Sequence, residues 1–152
     1  MRVFRVATTV IATAVMLAGC GAGPSSRPGI AVDDAPDFAT LVERALVHAH
    51  RAVEQHAVLQ KVLETEPERL LPQLTQSAPQ VQAVLRGYLA ERLAVEELRP
   101  GIDPDEAADW LARMGLSFII AEGRWDLTDP AEVRRLVRRE LLAPILVDPG
   151  PP

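Results

Sequence analysis

The sequence predicts an all-α fold, an antiparallel bundle of about five to six helices, on the strength of three observations. Helix-start signals recur along the chain, apolar residues follow a helical spacing, and Ala, Leu, Val, Arg and Glu dominate a composition with only 4% aromatic residues. This mixture favours helices over strands. No alternation of apolar and polar residues bounded by turn residues is present, so we expect no sheet.

The helix starts share one pattern, in which a capping residue stands three positions before an acid or an amide. The cap accepts a hydrogen bond from a backbone N–H of the first turn, and the third residue reaches back. Proline suits the first turn because its missing N–H would be unpaired there. The starts are Asp34-Ala-Pro36-Asp37, Thr65-Glu-Pro67-Glu68, Ser77-Ala-Pro79-Gln80, Asp103-Pro104-Asp-Glu106 and Asp129-Pro130-Ala-Glu132.

Apolar residues follow these starts at the spacing of one helical face. Breaks at Arg99-Pro-Gly101, Glu122-Gly123 and Pro144 separate the segments. The stripes are Phe38, Leu41, Val42, Ala45, Leu46, Ala49 and Val53; Val81, Val84, Leu85, Tyr88, Leu89 and Leu93; Ala107, Trp110, Leu111, Met114 and Phe118; and Val133, Leu136, Val137 and Leu141.

The N-terminus has the pattern of a secretory signal. Two arginines precede an apolar run over 6–18, which is shorter than the about 20 residues of a transmembrane helix. Leu17-Ala18-Gly19-Cys20 resembles the lipobox of bacterial lipoproteins, a family in which the cysteine is lipidated and becomes the new N-terminus. The resemblance implies a chain anchored by Cys20 to the outer face of the cell membrane. The alternatives are a misassigned start, which implies a cytoplasmic protein, or an apolar helix with a chance cysteine.

The predicted organisation is a signal peptide over 1–19, a flexible tether over 20–33, a helical domain over 34–147 and a disordered tail over 148–152. The net charge is −5, and without residues 1–19 it becomes −7, from 14 basic and 21 acidic residues. An acidic body is a poor binder of nucleic acid. The single cysteine forms no internal disulfide, so cysteine usage does not indicate the redox compartment.

The helix that follows Asp103 is apolar on two faces. Its second face carries Ala108, Ala112, Gly115 and Ile119, about one turn apart, and small residues at this spacing let another helix come close. Either this is the central helix of a monomer, or it packs its own core on one face and a twin subunit on the other. In the second case, these residues belong to a dimer interface.

Five segments resemble TetR/AcrR-type transcriptional regulators. Residues 103–118, 126–130 and 133–142 are similar to the last two helices of that family, and 36–41 and 59–67 are similar to segments upstream. The resemblance covers about three quarters of the chain. It implies an all-helical domain that forms a homodimer through a four-helix bundle of 103–121 and 129–143. Val133, Leu136 and Val137 would join the interface.

The resemblance also implies a pocket for a small, mostly apolar effector between the earlier helices. Such sites combine apolar walls with a few polar anchors. The candidates on inward stripes are His48, Tyr88, Trp110, Met114 and Ser117, each of which also suits an ordinary core. The family's helix-turn-helix head is missing, because residues 1–35 are too short and too apolar for it. No DNA binding is therefore expected of this chain.

No constellation of catalytic residues is present, so the sequence predicts a non-enzymatic protein without cofactor or metal. It contains no GxSxG, no HExxH and no glycine-rich phosphate loop. His48, His50 and His56 share a helix, but a metal site usually needs a third ligand in the right geometry. Arg134, Arg135, Arg138 and Arg139 form a basic stripe, most simply a solvated face with nucleic acid or anionic lipid as the alternative partner.

Overall fold

The computed structural model describes residues 35–55, 67–120 and 123–151, with single positions at 57, 61 and 65. It contains helices α1 (Phe38–Glu54), α2 (Pro67–Leu93), α3 (Pro104–Ile120) and α4 (Pro130–Arg135). The last continues directly into a π-helical segment, Leu136–Leu142. Within these residues no strand forms, only one isolated antiparallel bridge between Leu98 and Leu146, and the predicted all-α class is confirmed. The prediction of about five to six helices also included segments that lie outside the described residues.

Two of the predicted helix caps are confirmed. Asp103 Oδ1 accepts from the backbone N–H groups of Asp105 (2.9 Å) and Glu106 (3.0 Å). Asp129 is extended and accepts from the N–H of Ala131 at 2.8 Å. Each carboxylate thus satisfies a first-turn donor that has no partner within its helix.

The first helix starts later than predicted. Its cap is Asp37, whose Oδ1 accepts from the N–H of Thr40 at 2.7 Å. Asp37 was expected as the third residue of a box opened by Asp34, which lies outside the described residues. Thr65 also does not show the expected capping bond. Its hydroxyl donates to the carbonyl of Lys61 at 2.7 Å, which is the bond a threonine inside a helix makes.

The helix start predicted at Ser77 is wrong. Helix α2 is continuous from Pro67 to Leu93, so Pro79 lies in its interior rather than in a first turn. An interior proline removes one backbone hydrogen bond, at a cost of roughly 3 kcal/mol. The helix nevertheless continues, because Val81, Leu89 and Leu93 are buried farther along it. Tertiary burial thus overrides the local signal.

The connection from α2 to α3 also holds the C-terminal segment. Arg99 to Ile102 form a turn, in which the N–H of Ile102 donates to the carbonyl of Arg99 at 3.1 Å. Pro100 and Gly101 are its central residues, and the φ of +85° at Gly101 favours glycine there. Arg99 Nε donates to the carbonyls of Ala143 (2.7 Å) and Leu146 (3.0 Å). The guanidinium therefore satisfies carbonyls that the end of the last helix leaves unpaired.

The last helix supplies most of the large side chains that are completely buried. The π-helical segment buries Leu136, Val137, Leu141 and Leu142, with exposures of 0–2%. Two pairs of these residues are five positions apart, and a π-helix, which bonds residue i to residue i+5, brings such pairs toward one face. Helix α1 packs against the last helix, α3 packs against α1 and α2, and apolar residues of α1 and α3 belong to the same core. The two helices contribute Phe38, Leu41, Val42, Leu46, Ala107, Ala108, Leu111 and Ala112.

One charged side chain, that of Arg138, connects the last helix to α1 and to the C-terminal tail. Arg138 is only 12% exposed, and its Nε donates to Oε1 of Glu43 on α1 at 2.7 Å. Its two terminal nitrogens donate to the carbonyl of Pro149 (2.9 Å) and to the hydroxyl of Thr40 (3.2 Å). Part of the tail predicted to be disordered is thus in contact with the last helix. Gly150 adjoins it with a φ of +75°, and a Cβ there would overlap Nη1 of Arg138.

The residues expected at a dimer interface lie inside one chain. Ala108, Ala112, Leu136 and Val137 are 0% exposed, and Val133 is 1% exposed. Gly115 is buried, and a Cβ at this position would lie 3.9 Å from Cδ2 of Leu46. Ile119 is half-buried against the core. The face of small residues on α3 therefore meets helices of its own subunit and offers a second copy almost no surface. The homodimer itself stays a prediction, and it would need a different surface.

Replacement of Leu142 by alanine should lower the free energy of unfolding by about 2–5 kcal/mol, because it opens a cavity beside the last helix. Urea denaturation of the full chain measures this change. Val95→Ala is the control, since Val95 is 83% exposed and should change stability by less than about 0.5 kcal/mol. Equal, small effects of both substitutions would contradict the central position of the last helix.

Candidate functional site: an arginine-rich cleft beside Trp125

An open cleft of about 390 Å³ lies between the loop that precedes α4 and the outer side of the last helix. Its size is within the roughly 300–1,000 Å³ typical of small-ligand sites. The loop contributes an arginine and a tryptophan, and the helix contributes two arginines and two glutamates. The lining residues are Arg124, Trp125, Glu132, Arg135, Arg139 and Glu140.

The loop is fixed by an aspartate that folds it back on itself. Asp126 Oδ1 accepts from the backbone N–H (2.8 Å) and from the hydroxyl (2.6 Å) of Thr128. The hydroxyl bond, followed by the backbone bond, holds the pKa of Asp126 below its usual 3.8, and the nearby His50 acts in the same direction. Leu127 is buried and Trp125 is half-buried against the core. The loop wall of the cleft is therefore already in place.

The ion pairs of the cleft differ in the distance between the paired atoms. Arg135 Nη1 lies 2.8 Å from Glu132 Oε1, a hydrogen-bonded pair along one helix. Glu140 Oε1 lies 3.8 Å from Arg124 Nη2 and 4.0 Å from Arg139 Nε, both beyond hydrogen-bonding distance. The guanidinium of Arg124 lies over the ring of Trp125, 4.5 Å from its centroid. Three cations and two anions leave one positive charge in excess.

The structure does not place the five predicted pocket residues in this cleft. Tyr88 and Met114 are half-buried against the core, and Arg92 lies over the Tyr88 ring at 5.2 Å. His48 is half-buried on α1. Trp110 is 38% exposed and Ser117 is exposed, because α3 turns its small residues inward instead. The inward position predicted for Trp110 and Ser117 is therefore wrong.

The remaining candidates have these positions. His50 is 22% exposed, its Nε2 lies 3.4 Å from Glu54 Oε1, and its Nδ1 is buried without a hydrogen-bond partner. Cys20 and His56 lie outside the described residues. Over 35–55, 67–120 and 123–151, no group of three His, Cys, Asp or Glu side chains is arranged to hold a metal ion. Among the described helices, none is long and apolar enough to cross a membrane.

The sequence contained only half of the signal for the cleft. Arg135 and Arg139 belong to the basic stripe, which sequence reasoning interpreted most simply as a solvated face. Arg124-Trp125, an arginine next to an aromatic residue just after the glycine at 123, was not singled out. The signal for this surface is the occurrence of an arginine next to an aromatic residue, Arg124-Trp125, about ten positions before the basic stripe.

Replacement of Thr128 by valine should lower Tm at neutral pH, because it removes the hydroxyl that stabilises the Asp126 carboxylate. A depressed pKa contributes stability above the unfolded value of 3.8 and loses it as pH falls through the lower folded value. The Tm difference from the unmodified protein should therefore shrink well below pH 3.8. Ser117→Ala, at an exposed serine, should show no such pH dependence. A difference that persists in acid would exclude this bond as its cause.

Comparison with protein-family models, with curated proteins and with solved structures finds no match to this chain. The resemblance to TetR-type regulators therefore rests on the residues quoted for it and stays a prediction. The interpretation of the cleft depends on the geometry of this chain alone.

Proposed function

We propose that this chain is a non-enzymatic helical ligand-binding module, similar in kind to the effector half of TetR-type regulators. The arginine-rich cleft is the observation that carries this proposal. It joins an aromatic wall to three guanidinium groups, of which those of Arg124 and Arg139 lie 3.8 and 4.0 Å from their carboxylate partner, and planar guanidinium groups are suited to bind anionic ligands. The capped starts at Asp103 and Asp129 agree with the last two helices that the resemblance implies.

The proposal differs from the sequence-based expectation in the position and chemistry of the ligand. An apolar effector was expected between helices, near Tyr88 and Met114, but those side chains pack against the core. The cleft lies at the outer side of the last helix and is predominantly polar. We therefore place the ligand there, and we expect it to be charged.

A thermal-shift panel of small apolar, anionic and cationic compounds tests the ligand-binding role. A ligand at about 100 times its Kd stabilises a protein by roughly 2.7 kcal/mol, a shift of several degrees in Tm. We expect at least one class to raise the Tm of the full chain and to lose this effect in Arg135→Gln. The matched control is Arg113→Gln, which removes an exposed arginine from a pair of the same 2.8 Å length on α3. No stabilising class at all would contradict the function.

The homodimer remains part of the proposal, with a new surface. The outer side of the last helix carries Arg134, Arg135 and Arg139, all at least 50% exposed, and these would repel the same side of a second copy. The outer side of α3 instead presents Trp110. A large apolar ring, partly exposed, is a typical centre of a protein interface. We therefore place the two-fold contact on α3.

Trp110→Asp should convert a dimer into a monomer without loss of helix content, because the ring contributes little to the core of its own chain. Light scattering after size exclusion measures the mass, and circular dichroism measures the helix content. Val95→Asp, at a more exposed residue in the connection after α2, is the control and should remain dimeric. An unmodified protein that is monomeric at high concentration would refute this part of the proposal.

A second candidate function is that of an envelope lipoprotein, and it is compatible with the first. It is favoured by Arg2, Arg5, the apolar run and the Leu17–Cys20 motif. Intact mass of the chain expressed in a bacterial host should show the loss of residues 1–19 and a lipid-sized gain on Cys20. Cys20→Ala should abolish the gain and release the protein from the membrane fraction. Unchanged fractionation of that variant would refute the anchor.

A further inference from the structure

The cleft contains two cations whose hydrogen-bonding capacity is not used. Arg124 and Arg139 share a single oxygen of Glu140 at 3.8 and 4.0 Å, and within the described residues neither guanidinium makes a hydrogen bond. Each guanidinium carries five N–H donors in a planar fork. The two arginines are 74% and 72% exposed, so their long-range attraction to Glu140 is screened and weak.

The position of one of these cations is restricted. Arg124 lies over Trp125, whose ring packs against the core, and the loop behind it is folded by Asp126. Arg139 lies on the opposite wall, where the helix backbone is fixed but the side chain is 72% exposed. A ligand that enters therefore meets one fork-shaped donor already in place and has to order the Arg139 side chain to use both.

We propose that this cleft binds a phosphate ester, with its terminal oxygens between Arg124 and Arg139 and with Arg135 as an additional cation. The inference rests on the ligand-binding role proposed above and names the class of ligand. Glu140 reaches both guanidinium groups with one carboxylate oxygen, at 3.8 and 4.0 Å, and a second carboxylate would bring only two oxygens and a single charge. A phosphate monoester offers three terminal oxygens and a larger negative charge, so it can engage both forks bidentately.

Glu140 acts as an internal competitor in this arrangement. Its carboxylate lies within 4.0 Å of both guanidinium groups and repels an incoming anion. Removal of its charge should therefore strengthen binding, whereas removal of a cation should weaken it. Removal of Arg113, an exposed arginine outside the cleft, separates a specific site from a general dependence on surface charge, because only the general dependence would weaken binding in that variant.

The test is calorimetric titration of the full chain carrying Cys20→Ala, in non-ionic detergent at roughly physiological salt, with glycerol phosphate as the probe. We expect saturable binding that Arg139→Gln weakens by about tenfold or more and that Glu140→Gln strengthens several-fold. Arg113→Gln, on α3, is the matched control and should leave the affinity unchanged. Acetate should bind at least about tenfold more weakly than glycerol phosphate.

Two sources of phosphate ester are distinguished by a second titration, with mixed micelles that contain phosphatidic acid, a lipid whose headgroup is a phosphate monoester. Tighter, Arg139-dependent binding of these micelles assigns the site to a lipid headgroup, and tighter binding of glycerol phosphate assigns it to a soluble ester. Absence of binding in both titrations overturns the inference, and so does weaker binding by Glu140→Gln. If another compound of the thermal-shift panel still stabilises the protein through Arg135, the ligand-binding role survives and the phosphate class alone fails.

Discussion

Burial of the inner face of the last helix is the constraint on which the rest of this structure depends. Five of the six largest fully buried side chains belong to it, and α1 packs directly against it. They are Val133, Leu136, Val137, Leu141 and Leu142. The same helix carries Arg138, whose side chain is only 12% exposed and whose charge is balanced by Glu43 on α1. Apolar burial provides the stability, while the directional bonds of one guanidinium fix how α1 lies on the last helix.

Local chemistry made the fold class and several boundaries predictable from the sequence. A capping aspartate acts within its own first turn, and Gly101 permits a positive φ whatever surrounds it. The direction in which α3 faces was not predictable in this way. Counting large apolar residues favoured Trp110 as an inward residue, but it is 38% exposed, and the small residues Ala108, Ala112 and Gly115 are buried instead. That outcome depends on the partners of the helix, which a single sequence does not specify.

The cleft shows a similar division between local and non-local information. The basic stripe of the last helix was visible in the sequence, but its interpretation depended on what lies opposite. The structure brings Arg124 and Trp125 to that place because Leu127 is buried just beyond them and Asp126 folds the loop back. An exposed stripe thereby becomes one wall of a concave surface. The identity of a ligand depends on this pairing of two segments and not on either segment alone.

The contacts of Arg138 also determine where the polypeptide enters and leaves the helical body. Nη2 of Arg138 lies 3.6 Å from Asp37, at the start of α1, while Nη1 holds the carbonyl of Pro149. The two termini of the body therefore meet at a single side chain. A short peptide linking them would span little distance, so the body is suited to circular permutation with new termini opened in the connection around Val95. Any domain fused after residue 151 would emerge beside the segment that precedes α1.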